Sequence, residues 1–415
     1  MKDKLLALYV LTLLMFSPII SAFLFVSGQS AAQGQVQSMI FALTIVGWLF
    51  FIVGRFLSVG GGQFAFFRKY IGIFAIFAIF YLATRFVYTY SGVLSVLLND
   101  TTPEEATTRN LTFFLRWASL SVTSFFIGAI LVQKENVEKV SKLIPYFTIP
   151  LTVIIALATF NSGSFYFGQD ENYGFTYQNI SYYHASFMLY NSFYVFFYKS
   201  ESRSDKVLRL LSFICLLLNI VYAFSAGGRG AAVLLAAASV YIIWYKMFKN
   251  GGNLIIKAFL VLSIGGALGI IASKMGVFES EGFYRVSHMI EIDAGGRSNL
   301  SDLAFQVIED NYYMGSGLGS VWFTVGYPSH NIFQDLILEL GIAGLVVFLV
   351  LIFKTYKILL KCAAIDSKYQ FIIINSFNIV ILLFSTYWIS SQILWMTWGC
   401  SAAIAYSKKY HLEEL

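Results

Sequence analysis

The chain has 415 residues, of which 58% are hydrophobic and only 12% are charged, whereas a soluble domain is about 25% charged. Its 41 Phe and 26 Tyr residues are too many for one aqueous core, so the composition excludes a soluble globular protein and indicates an all-α polytopic membrane protein. The formal net charge of +6 comes from basic residues scattered among short loops, which predicts no nucleic-acid partner.

The apolar stretches predict about twelve transmembrane helices, since a helix needs about 20 apolar residues to cross a bilayer. We expect helices 1–9 within residues 1–273, a large outer loop over 274–330, and helices 10–12 with an inner tail over 331–415. The first stretch is too long for the apolar part of a cleaved signal peptide and is interpreted as an uncleaved helix. The predicted spans lie near residues 5–26, 36–59, 70–98, 111–132, 143–160, 180–199, 207–224, 230–247, 254–273, 331–353, 370–390 and 392–406.

Basic residues determine the predicted orientation. With both chain ends on the inner side, the inner segments hold 18 Lys or Arg residues and the outer segments hold five. Short inner loops of membrane proteins carry such an excess of basic residues. We therefore expect cytoplasmic termini and an outer side that carries the large loop.

The outer loop over residues 274–330 is far longer than most other connections. The spacing of one apolar helix face recurs within it, at Leu300, Leu303, Ala304, Val307 and Ile308. This spacing predicts an amphipathic helix, and a weaker pattern over 283–290 indicates a second one before it. Glycine-rich residues 315–320 then form a turn-rich stretch that leads to His330.

His330 lies where the outer loop enters the tenth predicted span. The N-terminal end of a helix carries a partial positive charge, which disfavours an imidazolium and keeps the ring able to accept a proton near pH 7. Two interpretations stay open on this placement alone: a catalytic base for a lipid-linked anion, and a polar histidine that only begins a helix.

Asn331, Asp335 and Glu339 follow at intervals of four residues and therefore share one face of the tenth helix. Glu339 would lie about 12 Å into the span, where a carboxylate needs a partner in the protein interior. For Glu339 we favour such a packing role over orienting His330 or the substrate. For Asp335 both roles stay open.

Three outer arginines are candidate binders of a diphosphate, because the guanidinium fork matches phosphate oxygens and helix N-termini favour anions. Arg229 lies in the glycine-rich turn 226–230, Arg297 begins the predicted loop helix, and Arg285 lies on the weaker one. The alternative for Arg229 is a side chain that reaches the lipid headgroups. The sequence leaves open the roles of Arg85, Arg116 and His184, although interior packing is favoured for the histidine.

The sequence holds no phosphate-binding glycine loop, no dinucleotide motif and no cluster with metal-ligand spacing, so we predict neither a cofactor nor a metal. Cys215, Cys362 and Cys400 fall in or beside apolar stretches, which predicts buried thiols. A transporter of lipid-linked sugars is a further alternative, but it would favour two similar halves and midplane charges, which the sequence does not contain.

In their order along the chain, these segments resemble the O-antigen ligase and polymerase superfamily of bacterial membrane glycosyltransferases. The resemblance covers about residues 210–355, and the N-terminal half matches only in its hydrophobic character. Its motifs are the arginine turn at 225–230, Gly296-Arg297 with the helix that follows, residues 311–319, and the block 329–344 with His330, Asn331, Glu339, Gly341 and Gly344.

The resemblance implies a GT-C-like helical fold and a metal-independent transfer of glycan from undecaprenyl diphosphate at the periplasmic face of the bacterial inner membrane. It also implies that His330 activates the acceptor hydroxyl and that Arg229 and Arg297 bind the donor diphosphate. An O-antigen polymerase is favoured, and the alternative is the ligase that moves the glycan to lipid A–core. Membrane lipid and a polysaccharide chain-length regulator are the further candidate partners.

Overall fold

The computed structural model is predominantly helical in the residues it describes, with no β-strand among them, which confirms the all-helical prediction. Almost all of the second and ninth predicted spans, and the weaker loop helix, lie outside the described residues. Those residues are 7–8, 10–12, 14–28, 47, 54, 62–90, 120–133, 136–161, 177–199, 202–246, 273, 297–384 and 387–410.

The α-helices are numbered here in chain order through the described part. They are α1 (Phe16–Ser27), α2 (Gly62–Tyr90), α3 (Val122–Leu131), α4 (Asn136–Asn161), α5 (Tyr177–Phe196), α6 (Arg203–Ser225), α7 (Arg229–Trp244), α8 (Arg297–Asn311), α9 (Val321–Thr324), α10 (Ile332–Ile365), α11 (Gln370–Ser376) and α12 (Gln392–Tyr410). Short 3-10 helices lie at Ser367–Tyr369, Phe377–Leu383 and Trp388–Ser390.

Within the described residues, four helices are long and apolar enough to cross a membrane: Phe64–Tyr88, Asn136–Ala158, Arg203–Ser225 and Ile332–Ile365. These helices present large apolar side chains at their surface; Ile79 is 66% exposed and Phe353 is 69% exposed. Such continuous apolar surface is unfavourable in water and favourable in lipid. The chain is therefore a helical membrane protein, as its composition predicts.

Several predicted spans differ from the observed helices: the fifth, near 143–160, begins at Asn136, and the tenth, near 331–353, continues to Ile365. The third, near 70–98, begins earlier, at Gly62. The eleventh, near 370–390, is not one continuous helix, because α11 ends at Ser376 and the chain continues as 3-10 helix and irregular backbone. In α11, Asn375 Nδ2 donates to Phe371 O at 2.9 Å and Ser376 Oγ donates to Ile373 O at 2.6 Å. Side chains that hydrogen-bond the preceding turn in this way compete with the helical backbone pattern.

The chain divides into two compact units, which are described separately. The first consists of Met1–Ile40, Val137–Ile292 and Asp366–Ile381, and the second of Phe41–Asn136, Asp293–Ile365 and Leu382–Leu415. In the first unit α5 and α6 run antiparallel, and Ser181 Oγ of α5 donates to Ala223 O of α6 at 2.7 Å. Ser202 begins α6 with a capping box, in which Ser202 and Asp205 each satisfy a backbone N–H of the other.

In the second unit, α3 and α12 approach each other closely at two glycines. A Cβ on Gly128 would overlap the backbone of Met396, and a Cβ on Gly399 would overlap the backbone of Phe125. Cys400 Sγ donates to Gly128 O at 3.2 Å across this contact. Small residues allow such close backbone approach between helices in membranes, where lipid and side chains are equally apolar.

The predicted amphipathic loop helix is α8, which packs against α10 in the second unit. Ala304 and Ile308 on its apolar face are buried, which confirms the predicted face at these two positions. Gln334 Nε2 of α10 donates to Ser301 Oγ of α8 at 2.6 Å. The second unit therefore holds α8 directly against the start of the tenth predicted span.

Candidate active site

His330 has a left-handed backbone conformation, with φ of 62°, and is the only non-glycine residue with positive φ in the described part of the chain. This conformation costs a residue with a Cβ about 1–2 kcal/mol and persists only where the surroundings impose it. The imidazole is half-buried, and its ring centroid lies 6.1 Å from that of Tyr327. An imposed, strained conformation of this kind is typical of functional positions.

A short hydrogen-bonded ring imposes the conformation of His330. The buried carboxylate of Asp335 accepts hydrogen bonds at Oδ1 from Ser329 N (2.9 Å) and Ser329 Oγ (2.8 Å). Asn331 Oδ1 accepts from Phe333 N at 3.0 Å and so caps the first turn of α10. Ser329 and Asn331 are thus fixed on both sides of His330, which leaves the imidazole positioned at the N-terminal end of the helix.

Asp335 retains one polar atom that the ring does not use. Its Oδ2 is buried, and no residue of the described part donates a hydrogen bond to it. A buried carboxylate oxygen without a donor is costly. Asp335 therefore has spare acceptor capacity close to His330, and both the orienting and the ligand-binding interpretations of this residue stay predictions.

The helix that begins beside His330 is interrupted at Gly341, whose φ of 66° and ψ of −177° are not helical. The interruption removes backbone hydrogen bonds within α10, and the turn that follows α8 replaces them. We call residues 312–320 the docked turn. Its hydrogen bonds to α10 are Ser316 N to Leu338 O at 2.7 Å, Gly317 N to Glu339 O at 2.9 Å, and Ile342 N to Tyr312 O at 2.9 Å.

The docked turn needs glycine at its points of contact. Gly315, Gly317 and Gly319 all have positive φ, as this tight path requires. A Cβ on Gly315 would lie 2.5 Å from the backbone of Glu339, and a Cβ on Gly317 would lie 2.6 Å from Thr84 Oγ1 of α2. The turn-rich stretch predicted from the sequence, half-buried at 315–317 and buried at 318–320, therefore connects α2 and α10.

Glu339 lies one turn below Asp335 and has side-chain partners for both oxygens. The hydroxyl of Tyr387 donates to Oε1, and Trp388 Nε1 donates to Oε2 at 3.2 Å. The carboxylate is 1% exposed. The Tyr387 hydroxyl is the kind of interior partner that a packing role for Glu339 requires. Its hydrogen bond connects the segment after the 3-10 helix Phe377–Leu383 to the interrupted helix α10.

The remaining predicted site residues fall in different parts of the chain. Arg297 is the first residue of α8, four residues before Ser301, which contacts α10. Arg285 and Arg116 lie outside the described residues, and Arg85 is half-buried on α2. The second unit thus brings together His330, Asn331, Asp335 and Glu339 on one short segment, with the start of α8 connected to it through Ser301.

Arg229 belongs to the first unit, where it begins α7 directly after a glycine turn. Gly227 has φ of 77°, and a Cβ on Gly228 would lie 2.5 Å from Ser181 Oγ. Glycine is therefore required at this turn, which sets the half-buried arginine at a helix N-terminus that favours anions. Its predicted role in binding diphosphate stays a prediction.

His184 is an interior residue of the first unit. It is fully buried on α5, its Nδ1 lies 2.7 Å from Asn219 Oδ1, and its ring stacks on Tyr222. Asn219 Nδ2 in turn donates to Thr152 Oγ1 at 3.1 Å. This network links α4, α5 and α6, as the interior-packing interpretation requires.

Sequence reasoning missed Tyr387, Trp388 and the contacts of Tyr88. The hydroxyl of Tyr88, on α2, donates to Ser316 O at 3.1 Å and so satisfies a backbone carbonyl of the docked turn. Aromatic residues are common at membrane interfaces, so their types carried no signal that separates a specific partner from an interfacial side chain. Tyr387 and Trp388 satisfy the buried Glu339 side chain, and Tyr88 satisfies a carbonyl of the docked turn, so each contact depends on residues far away in the sequence.

Comparison of the chain with models of known protein families finds no match, and comparison with curated proteins finds none either. Among the described residues, no group of three or more His, Cys, Asp or Glu side chains is arranged to hold a metal ion.

Replacing Tyr387 by phenylalanine should lower stability, because the buried Glu339 carboxylate loses the hydrogen bond from the Tyr387 hydroxyl. The loss of one partner of a buried polar group costs about 1–3 kcal/mol, more where the group is charged. The midpoint of thermal unfolding in detergent would be measured with a thiol-reactive fluorophore, since Cys215, Cys362 and Cys400 are buried and become reactive on unfolding. Tyr313→Phe is the matched control, because Tyr313 is 75% exposed. Equal midpoints for the two variants would contradict the role assigned to Tyr387.

Proposed function

We propose that the protein is a membrane glycosyltransferase that polymerises undecaprenyl diphosphate-linked repeat units of O-antigen or a similar polysaccharide at the periplasmic face of the inner membrane. The observation that carries the proposal is His330, held in a left-handed conformation by Ser329, Asn331 and Asp335 at the N-terminal end of α10, a helix long and apolar enough to cross a membrane. It combines a base with a fixed position, which is what activation of a sugar hydroxyl needs.

The height of His330 in the membrane fits a lipid-linked diphosphate. Lys354 is the first basic residue of α10, and in this proposal it marks the inner boundary of the part of the helix that spans the membrane. At 1.5 Å per residue, His330 lies about 36 Å from Lys354, whereas the hydrocarbon core is about 30 Å thick. His330 is thus expected in the outer headgroup layer, where the diphosphate of a polyprenyl carrier lies.

The residues divide the chemistry between acceptor and donor. A sugar hydroxyl is a poor nucleophile, so a positioned base such as His330 is worth about 10²–10⁴-fold in rate. Diphosphate is a good leaving group that needs its developing charge stabilised, and Arg229 and Arg297, each the first residue of a helix, supply the charge for that role. In this proposal Asn331 and Asp335 orient His330, with Arg285 as a third donor-side arginine.

The proposal includes a GT-C-like arrangement of about twelve transmembrane helices, cytoplasmic termini and a periplasmic active site. The inner excess of Lys and Arg supports this orientation. The large predicted outer loop, which contains α8 and the short α9, supports a periplasmic location for the chemistry. A chain-length regulator would act on this protein as a partner and would not supply the catalytic residues.

Deleting the gene that encodes this protein from its source bacterium tests the proposal. If the protein is a polymerase, the surface glycans of the deletion strain should carry a single repeat unit. Expression of the wild-type protein in that strain should restore the ladder of longer glycans. The purified chain with lipid-linked repeat units extracted from the deletion strain should then produce the same ladder. Long lipid-linked glycans that fail to reach lipid A–core would instead identify a ligase, and an unchanged glycan profile would exclude both activities.

A further inference from the structure

The docked turn is non-helical backbone that contacts two membrane-spanning helices of the second unit, α2 and α10. Its own backbone groups are well paired. Gly315 N donates to Asn311 O at 2.8 Å and Ser320 N donates to Gly317 O at 3.0 Å, in addition to the bonds with α10 and Tyr88. Paired backbone of this kind is what a non-helical segment needs in order to lie at membrane depth.

The length of α10 gives a first estimate of the depth of the turn. Gly341, which the turn contacts, lies 13 residues before Lys354, or about 20 Å along the helix. A hydrocarbon core about 30 Å thick extends beyond that height by about 10 Å. The backbone of Lys354 could lie about one turn inside the inner boundary of the hydrocarbon, with its ammonium group reaching the inner headgroups. Even in that case, the contact at Gly341 lies inside the hydrocarbon.

The helix α2 gives an independent estimate. Lys69 is exposed near its inner end, and a Cβ on Gly319 would touch Tyr81, about 18 Å farther along. Large apolar side chains stay exposed beyond that height, since Phe86 is 63% exposed and Val87 is 57% exposed. Apolar surface therefore continues for about one turn outward past the contact, which supports a position below the outer edge of the hydrocarbon.

We infer that the docked turn is a re-entrant segment, which enters the outer leaflet beside the interrupted helix and places Tyr313 and Met314 against lipid acyl chains. These two side chains are 75% and 84% exposed, at the height of Gly341. An aromatic ring and a flexible thioether are both largely apolar and can pack against acyl chains. The partner of this surface is the bilayer itself.

Spin labels at single cysteines test the inference in liposomes. In a background with Cys215, Cys362 and Cys400 replaced by serine or alanine, labels would be attached at Tyr313→Cys and Met314→Cys. Ile79→Cys, on the exposed apolar face of α2, is the lipid-facing control, and Gln306→Cys, exposed on α8, is the aqueous control. Collision rates would be measured with oxygen, which concentrates in the bilayer, and with a water-soluble nickel chelate.

The inference predicts that labels at 313 and 314 resemble the label at 79, with nickel collisions several-fold rarer than at 306. Nickel collisions at 313 and 314 as frequent as at 306 would overturn it. Each labelled variant must keep its thermal midpoint, measured by tryptophan fluorescence because the background lacks thiols. If Tyr313→Cys fails this criterion, Met314→Cys decides alone, because Met314 is the more exposed of the two.

Discussion

Replacing His330 by glycine should abolish glycan transfer and leave the protein at least as stable as the wild type. Glycine adopts a φ of 62° without the cost that a Cβ imposes, which is about 1–2 kcal/mol. Loss of the imidazole removes the base, so we expect a rate at least about 100-fold lower. The rate would be measured with extracted lipid-linked repeat units, and stability by the thermal midpoint.

Two further variants separate the ring from the backbone conformation. His330→Asn keeps a residue that tolerates positive φ, and His330→Ala keeps the strain without the ring. All three variants should be inactive, whereas the midpoint should rise from alanine to glycine. His411→Gly, in the predicted inner tail, is the matched histidine control. Transfer at the wild-type rate by His330→Gly would exclude the base, and a fall in its midpoint would exclude the strain.

Replacing Gly341 by alanine should give a large loss of stability. Its combination of φ 66° and ψ −177° is accessible essentially only to glycine, and forcing another residue into such a region costs about 1–3 kcal/mol. A Cβ there would also overlap the backbone of Tyr313, so the docked turn must move. We expect a fall in thermal midpoint of several degrees and loss of transfer, because displacement of the turn disturbs the helix that positions His330.

Gly72→Ala is the matched control for this substitution. Gly72 lies within α2, and a Cβ there would meet no atom within 4 Å. Alanine should be neutral or slightly stabilising at this position, by up to about 1 kcal/mol, because it favours the helix. If Gly341→Ala has the same midpoint as Gly72→Ala, the interruption of α10 does not contribute to stability and its proposed role is wrong.

The parts of the fold that sequence reasoning predicted depend on local patterns. The apolar face of α8 follows from a helical repeat, and Ala304 and Ile308 are buried as that repeat predicts. The glycine-rich turn after it follows from residue types that adopt positive φ. The position of His330 at the start of α10 follows from the change from polar loop to apolar run.

The parts that were not predicted depend on contacts between distant positions. Gly341 stands in an apolar run, where a single glycine is compatible with an uninterrupted helix, and only its contact with Tyr313 forces the interruption. Glu339 pairs with Tyr387 across 48 residues, which no local pattern encodes. Arg229 and His330 lie in separate compact units, so their predicted cooperation in catalysis has no local signal either.

The hydrogen bonds between the docked turn and α10 also have a consequence for biosynthesis. They join residues 22 to 30 positions apart, and the turn is synthesised before the helix it contacts. Contacts between residues this close in sequence form early, because little loop entropy opposes them. The interrupted helix can thus acquire its partners as soon as it leaves the insertion machinery, without waiting for α12. An alteration that delays the turn would leave unpaired backbone in lipid during assembly, and its first effect would be a lower yield of inserted protein.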